Sequence, residues 1–329
     1  MYKKFFGLRE NPFNVNPDPR YLYLTGHIQE ALACLIYGIQ ARKGFVLLTG
    51  EVGTGKTTVL NKLLEWCRQE QISTAFMFNP RLSELEFFDF MMAGFGIPCE
   101  STLKSRALMK LNQWLLEQHQ IGSRVVLIVD EAQNLSPQML EEIRLLTNLE
   151  ISTAKLLQIV LAGQPELEDK VNDPQLRQLR QRITLWAKTG PLTLLETQGY
   201  VKQRLRMAGS TGEEIFSSEA IEAVHHHAGG IPRITNLLCE HALISAFVEH
   251  SKTVSEKIVE DVARDFDLQD IGVEPEVKSN GGHPILVDHA LAQAMRPPAV
   301  PLTTAVGEQK GSSKDETQVG KAFGNSYVE

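Results

Sequence analysis

Residues Gly50 to Thr58 read GEVGTGKTT and follow the apolar run GFVLL at 44–48 after one residue, Thr49. Gly50, Gly55, Lys56 and Thr57 fit the spacing G-x-x-x-x-G-K-[ST], with a strand-like run before and a helix-like run after, the context this pattern requires. The glycines let the backbone curl so that successive N–H groups converge on phosphates. The helix expected from Thr57 to about Gln69 adds its positive end to that field. The whole loop (Gly50, Glu51, Val52, Gly53, Thr54, Gly55, Lys56, Thr57 and Thr58) is therefore expected to hold a nucleotide. Lys56 would reach the β- and γ-phosphates, and the Thr57 hydroxyl would ligate Mg²⁺. The bland alternative is a glycine-rich turn without a ligand.

The next informative stretch is VVLIVDEAQNL at Val125–Leu135. A buried strand ending in Asp130 sets a carboxylate beside the phosphate loop, where it can hold the hydration shell of Mg²⁺. Glu131 points elsewhere and can polarise a water for in-line attack on the γ-phosphate. An acceptor-hydroxyl site would suit a kinase, whereas Asp followed by Glu suits water, so hydrolysis is expected. An exposed acidic pair ending a strand is the alternative.

Around these motifs the chain divides into four parts. Residues 1–44 hold a Pro- and Asn-rich stretch and then a helical pattern in Ile28, Ala31, Leu32, Leu35, Ile36 and Ile39. Residues 45–190 alternate short apolar runs (FVLLT, STAFMFN, VVLIV, LLQIVLA, ITLWA) with amphipathic helices, which indicates a parallel sheet covered on both faces. Residues 191–269 lose the strand signals and form a small helical domain, with helices near Glu196–Ala208, Ser218–His227, Pro232–His250 and Ser255–Phe266. Residues 270–329 are Gly-, Ser- and Pro-rich and read as a flexible tail with one short helix around Val287–Met295.

Composition bounds the rest. The chain has 329 residues, 43% hydrophobic and 22% charged, an ordinary globular balance. A formal charge of -7 argues against a protein that coats nucleic acid unspecifically. Cys34, Cys67, Cys99 and Cys239 lie far apart and suit free thiols in a reducing cytosol. The first residues show no signal-peptide core, and no run approaches the roughly 20 apolar residues of a membrane span. A cytoplasmic protein without direct membrane insertion is expected.

Further residues can sense the nucleotide. Gln164 follows LLQIVLAG, at the carboxyl edge of the sheet where ligands bind. It either orients the attacking water or merely caps the next helix. In GGIPRITNLL, Pro232 sets a helix start and puts Arg233 in the first turn, a poor place for a cation unless a phosphate pairs with it. A surface arginine is the alternative. DPQLRQLRQRI holds Arg177, Arg180 and Arg182 just before the last strand. These form a solvated basic helix, or one of them is an arginine finger for a neighbouring subunit's site, where such residues contribute about 10³–10⁵ in rate. Arg182 is favoured and Arg180 comes second. His225–His227 are consecutive on a helix and so point in different directions, which disfavours metal binding. Phe87, Phe88, Met91, Met92 and the stripe Leu111, Trp114, Leu115 read as core or helix interface.

Taken together, these residues resemble the AAA+ superfamily, with Walker A, Walker B, sensor-1, arginine-finger and sensor-2 positions. FFGLRENPFNVNPDPRYLYLTGHIQEALACLIYGI, KGFVLLTGEVGTGKTT, LIVDEAQNLSPQMLEEIRLLTNLE, LLQIVLAGQPEL, LRQLRQRI and GGIPRITNLLC are similar to the ExeA/GspA group of bacterial secretion-associated ATPases, over about residues 1–268. The resemblance implies a P-loop AAA+ αβα core with a five-stranded parallel sheet in the order 5-1-4-3-2, followed by a helical lid. It implies ATP and Mg²⁺, a homo-oligomer with the finger supplied in trans, and an envelope secretion or polysaccharide-export partner that recruits the protein to the inner membrane. It also implies that the N-terminal segment encloses the adenine, with Phe13 or Tyr21 near the base. Transposition-regulator ATPases share much of the pattern, and a DNA-binding ATP switch of that kind is the alternative function.

Overall fold

The computed structural model describes residues 1–268 apart from 15, 17, 79–81, 99–102, 153 and 213. The expected tail at 270–329, its helix around Val287–Met295 and Cys99 lie outside the described residues. Five strands form one parallel sheet: β1 (Phe45–Thr49), β2 (Ser73–Met77), β3 (Val125–Val129), β4 (Leu157–Gly163) and β5 (Ile183–Lys188). Their order is β2-β3-β4-β1-β5, the same as 5-1-4-3-2. Every residue of the three inner strands is buried, as continuous apolar runs with both faces covered require. The edge strand β5 alternates buried with more exposed positions.

The longer helices that connect and flank the strands are α1 (Gly26–Gln40), α2 (Lys56–Gln69), α3 (Glu84–Gly94), α4 (Lys104–Gln120), α5 (Pro137–Leu146) and α6 (Glu166–Asn172), and a single helical turn at Arg177–Arg180 precedes β5. Thr25 caps α1 by accepting the Ile28 N–H, and Ser83 with Glu86 closes a capping box on α3. Phe87, Phe88, Met91, Met92, Leu111 and Leu115 join the core on the sheet, and Trp114 packs partly buried against it. A two-residue ladder pairs Glu150–Ile151 with Ala154–Lys155 before β4.

Register decides where the loops emerge. Thr49 of β1 pairs with Gly163 of β4, and Val129 of β3 pairs with Leu161. The chain therefore leaves β1 into the glycine loop, β3 into Asp130 and β4 into Gln164 along one carboxyl edge of the sheet.

After β5 the described residues form four helices: α7 (Leu194–Met207), α8 (Ser218–Ala228), α9 (Pro232–Val248) and α10 (Glu256–Asp265). They share a core that also takes in Phe6, Leu8 and Phe13 of the N-terminal segment. Gly230 has φ +71, and a Cβ there would fall 2.1 Å from the Leu192 carbonyl oxygen. Only glycine lets the chain turn past Leu192 there, and the turn delivers Pro232 to the first position of α9.

Candidate nucleotide site

The glycine loop is braced from two sides. The Thr54 hydroxyl shares a hydrogen bond of 2.7 Å with the Thr189 hydroxyl beyond β5, and also reaches the Glu51 carbonyl at 2.7 Å. From the helical side, the Arg233 N–H donates to the Gly53 carbonyl at 3.3 Å. Gly53 has φ +83, and a Cβ there would lie 2.8 Å from the Arg233 Cβ. Glycine is thus required at 53 for both its dihedral angle and its close approach.

Lys56 opens α2 and is buried, its Nζ donating to the carbonyls of Gly50 (2.7 Å) and Glu51 (3.0 Å). Burial lowers the pKa of its ammonium group, while Glu131, Asp130, Glu51 and Glu166 act in the opposite direction. The Thr57 hydroxyl donates to Asp130 Oδ2 at 3.2 Å, and the Glu131 N–H donates to Asp130 Oδ1 at 2.9 Å. Burial pushes the Asp130 carboxyl above the usual range; the bonds from Glu131 N–H and Thr57 partly offset that rise.

Glu131 adopts φ 54, a left-handed conformation that a non-glycine residue reaches at a cost of about 1–3 kcal/mol. This turn separates its side chain from that of Asp130. The Glu131 carboxylate accepts from the Gln133 side-chain amide and from Gln164 Nε2 at 3.3 Å. Gln133 Oε1 in turn accepts the Gln164 N–H at 3.2 Å. Helix α6 has Pro165 as its N-cap and no side-chain capping bond, so the Gln164 side chain goes to Glu131 and does not cap the helix. A cavity of about 540 Å³ is lined by Lys56, Thr57, Thr58 and Glu131 from the core and by Arg233 from the helical side.

Residues 39–171 match the AAA domain family. The chain is 46% identical over 255 residues to general secretion pathway protein A of Aeromonas hydrophila, a match covering 77% of this chain and 46% of that protein. Over that stretch the chain is similar to general secretion pathway protein A, and it carries an AAA domain. It spans less than half the length of that relative. Among solved structures, Cdc6p from Pyrobaculum aerophilum matches with a TM-score of 0.61 at 17% identity, over 78% of this chain and 71% of that one. The ORC2 protein of Aeropyrum pernix, in its ADPNP-ADP complexes, matches at 0.58 and 16% identity, over 78% and 71%. Drosophila ORC bound to DNA matches at 0.57 and 17%, over 78% and 66%. These structures share the AAA+ fold.

Among the residues singled out in the sequence, Gln164, Glu131, Asp130 and Thr57 form one connected network, and Arg233 reaches the same cavity. The three arginines before β5 do not line it. Arg182 donates to the Thr147 hydroxyl at 2.6 Å, Arg180 donates to Asn172 at 3.0 Å and lies over the Trp186 ring, and Arg177 is exposed. Phe13 is fully buried against Phe216 in the helical core, so of the two aromatics expected near a base only Tyr21 lines the cavity. The histidines part as expected for consecutive helical residues: His225 meets Thr197 and His227 meets Glu260.

Sequence reasoning missed another part of the wall. Asn14, Asn16 and Asp18 of the N-terminal segment line the cavity, with Arg204 from α7 and Asn236 from α9. Arg204 sits among buried positions of an ordinary amphipathic helix. Nothing in its local sequence distinguishes it.

Proposed function

We propose that this chain binds ATP with Mg²⁺ and hydrolyses it with water, using a nucleotide core at 45–190, a lid at 191–269 and a flanking N-terminal segment at 1–44. The observation that carries this reading is the Glu131 carboxylate, held by Gln164 and Gln133 on the cavity that Lys56 and Thr57 also line. A carboxylate fixed there can take a proton from water as its oxygen attacks the γ-phosphorus, with ADP as the leaving group. The loop from Gly50 to Thr58 would hold the phosphates through its N–H groups, with Lys56 as the point charge. The Thr57 hydroxyl and the Asp130 carboxylate are hard oxygen donors 3.2 Å apart, a set that suits Mg²⁺, which would offset phosphate charge when bound.

Arg233 couples the lid to the phosphates: its backbone already bonds Gly53, and its guanidinium, on the same cavity and without a side-chain partner among the described residues, can pair with an anion. We place the arginine finger in trans among Arg177, Arg180 and Arg182, with Arg182 first. Its bond to Thr147 would have to break when it reaches a neighbour. The work done is assembly or remodelling of a secretion or exopolysaccharide-export component by a homo-oligomer. The likeness to general secretion pathway protein A supports that assignment. No described helix is long and apolar enough to cross a membrane. We place the protein in the cytoplasm, recruited to the inner membrane through its partner, on its likeness to general secretion pathway protein A.

Steady-state ATPase rates measured across protein concentration, with and without duplex DNA, test this reading. A rate per subunit that rises with concentration and ignores DNA is expected. Strong, salt-sensitive stimulation by DNA would replace it with a DNA-binding switch.

A further inference from the structure

Arg204 is only 5% exposed, yet it has no carboxylate within salt-bridge distance among the described residues. A buried cation without a counter-charge is costly and calls for another source of stabilisation. Its Nε donates to the Pro12 carbonyl at 2.7 Å. Its Nη1 donates to the Tyr200 hydroxyl and, at 2.9 Å, to Asn236 Oδ1. Its guanidinium plane lies over the rings of Tyr21 (4.7 Å) and Tyr200 (5.2 Å), contacts that a cation gains from aromatic faces.

Donor chemistry settles the remaining orientations. A guanidinium only donates, so the Asn236 atom facing it must be the amide oxygen. That oxygen also accepts the Tyr200 hydroxyl proton at 2.8 Å, and the Tyr200 oxygen accepts from Arg204. The ring of bonds is closed. It leaves Arg204 Nη2 and Asn236 Nδ2 without a protein partner among the described residues, and both residues line the nucleotide cavity. Beside the phosphate loop the cavity therefore presents a second group of free donors, on elements separate from Lys56 and Arg233, with Tyr21 alongside.

We infer that Arg204 and Asn236 read the nucleoside part of the nucleotide, donating to its ring-nitrogen or ribose-oxygen acceptors. This inference rests on the proposed phosphate site and extends it. Occupancy is communicated structurally, because Arg204 joins the N-terminal segment, through Pro12 and Tyr21, to both α7 and α9. A nucleotide that engages these donors ties the segment and the lid together. A bare polyphosphate in the same loop does not.

The test compares binding of Mg-ATP and Mg-tripolyphosphate, which carries the phosphates without the nucleoside, to wild type, Asn236→Asp and Lys56→Ala. Asn236→Asp keeps the oxygen that Arg204 and Tyr200 need and adds a counter-charge, so the fold is retained. It replaces the free donor with an acceptor. Added negative charge weakens both ligands alike, so the readout is the ratio of their affinities. We expect Asn236→Asp to lower the ATP-to-tripolyphosphate affinity ratio by about tenfold or more. ATP, and not tripolyphosphate, should also protect the N-terminal segment of wild type from proteolysis, with the protection weakened in Asn236→Asp. An unchanged ratio, or equal protection by the two ligands, overturns the inference. Lys56→Ala should weaken both ligands. If it weakens neither, the phosphate-site reading falls and takes this inference with it, a pattern distinct from failure at Asn236.

Discussion

The Gln164 side-chain amide donates to a Glu131 carboxylate oxygen at 3.3 Å, joining the ends of β4 and β3 across the carboxyl edge of the sheet. The bond fixes the orientation of a carboxylate whose backbone is already held in a left-handed turn. Gln164→Ala should therefore loosen the Glu131 carboxylate, the proposed base, without touching the proposed phosphate loop. We expect kcat to fall about ten- to a hundredfold, the range for one hydrogen bond to a charged group, with ATP affinity nearly unchanged. Parallel kcat and binding measurements check this. A large loss of affinity with kcat preserved would assign Gln164 to ground-state binding.

Gly38 marks the closest approach of α1 to the sheet. A Cβ at this position would lie 2.3 Å from Val46 Cγ2 and 3.1 Å from Leu185 Cδ1. Gly38→Ala gains up to about 1 kcal/mol of helix propensity but must overpack this contact, at roughly 1–3 kcal/mol or more. Net destabilisation is expected as a lower urea midpoint with an unchanged m-value. Adding Val46→Ala should lessen the cost of the glycine substitution, because it removes the clashing methyl.

The buried thiols make stability fall at alkaline pH. Burial pushes Cys34 up from 9.0 to about 11 and Cys67 to about 12. Below pH 9 both states keep these protons, so the contribution is complete. Above it the unfolded chain releases protons that the folded chain retains, and stability is lost as pH rises towards 11 and 12. Urea midpoints measured from pH 8 to 11 should fall. Cys67→Ala should make the decline shallower by up to about 1.4 kcal/mol per pH unit. Equal slopes would exclude Cys67 as a contributor.

The strands were legible because β1, β3 and β4 are buried on both faces and so appear as unbroken apolar runs. Their spatial order was not in those runs and came from the family pattern. The ladder at Glu150–Lys155 escaped because two-residue arms carry no periodicity. Helix α7 begins two residues before the expected Glu196, because Thr193 and Glu196 form a capping box inside TLLE. At the site, Lys56, Thr57, Asp130 and Glu131 could be found because local motifs carry them. The φ 54 turn of Glu131 and the burial of Phe13 with the lid could not, because tertiary packing sets both. The ring of Arg204, Tyr200 and Asn236 draws on two helices and the N-terminal segment, and no spacing in the sequence announces such a meeting.

The central claim is that Glu131 takes the proton from water. Glu131→Gln keeps the side-chain size and removes the base, so single-turnover hydrolysis and ATP binding should be measured on the same preparation. We predict ATP binding within a few-fold of wild type and a turnover rate reduced by about 10²–10⁴. A Glu131→Gln protein that hydrolyses ATP at close to the wild-type rate would contradict the account.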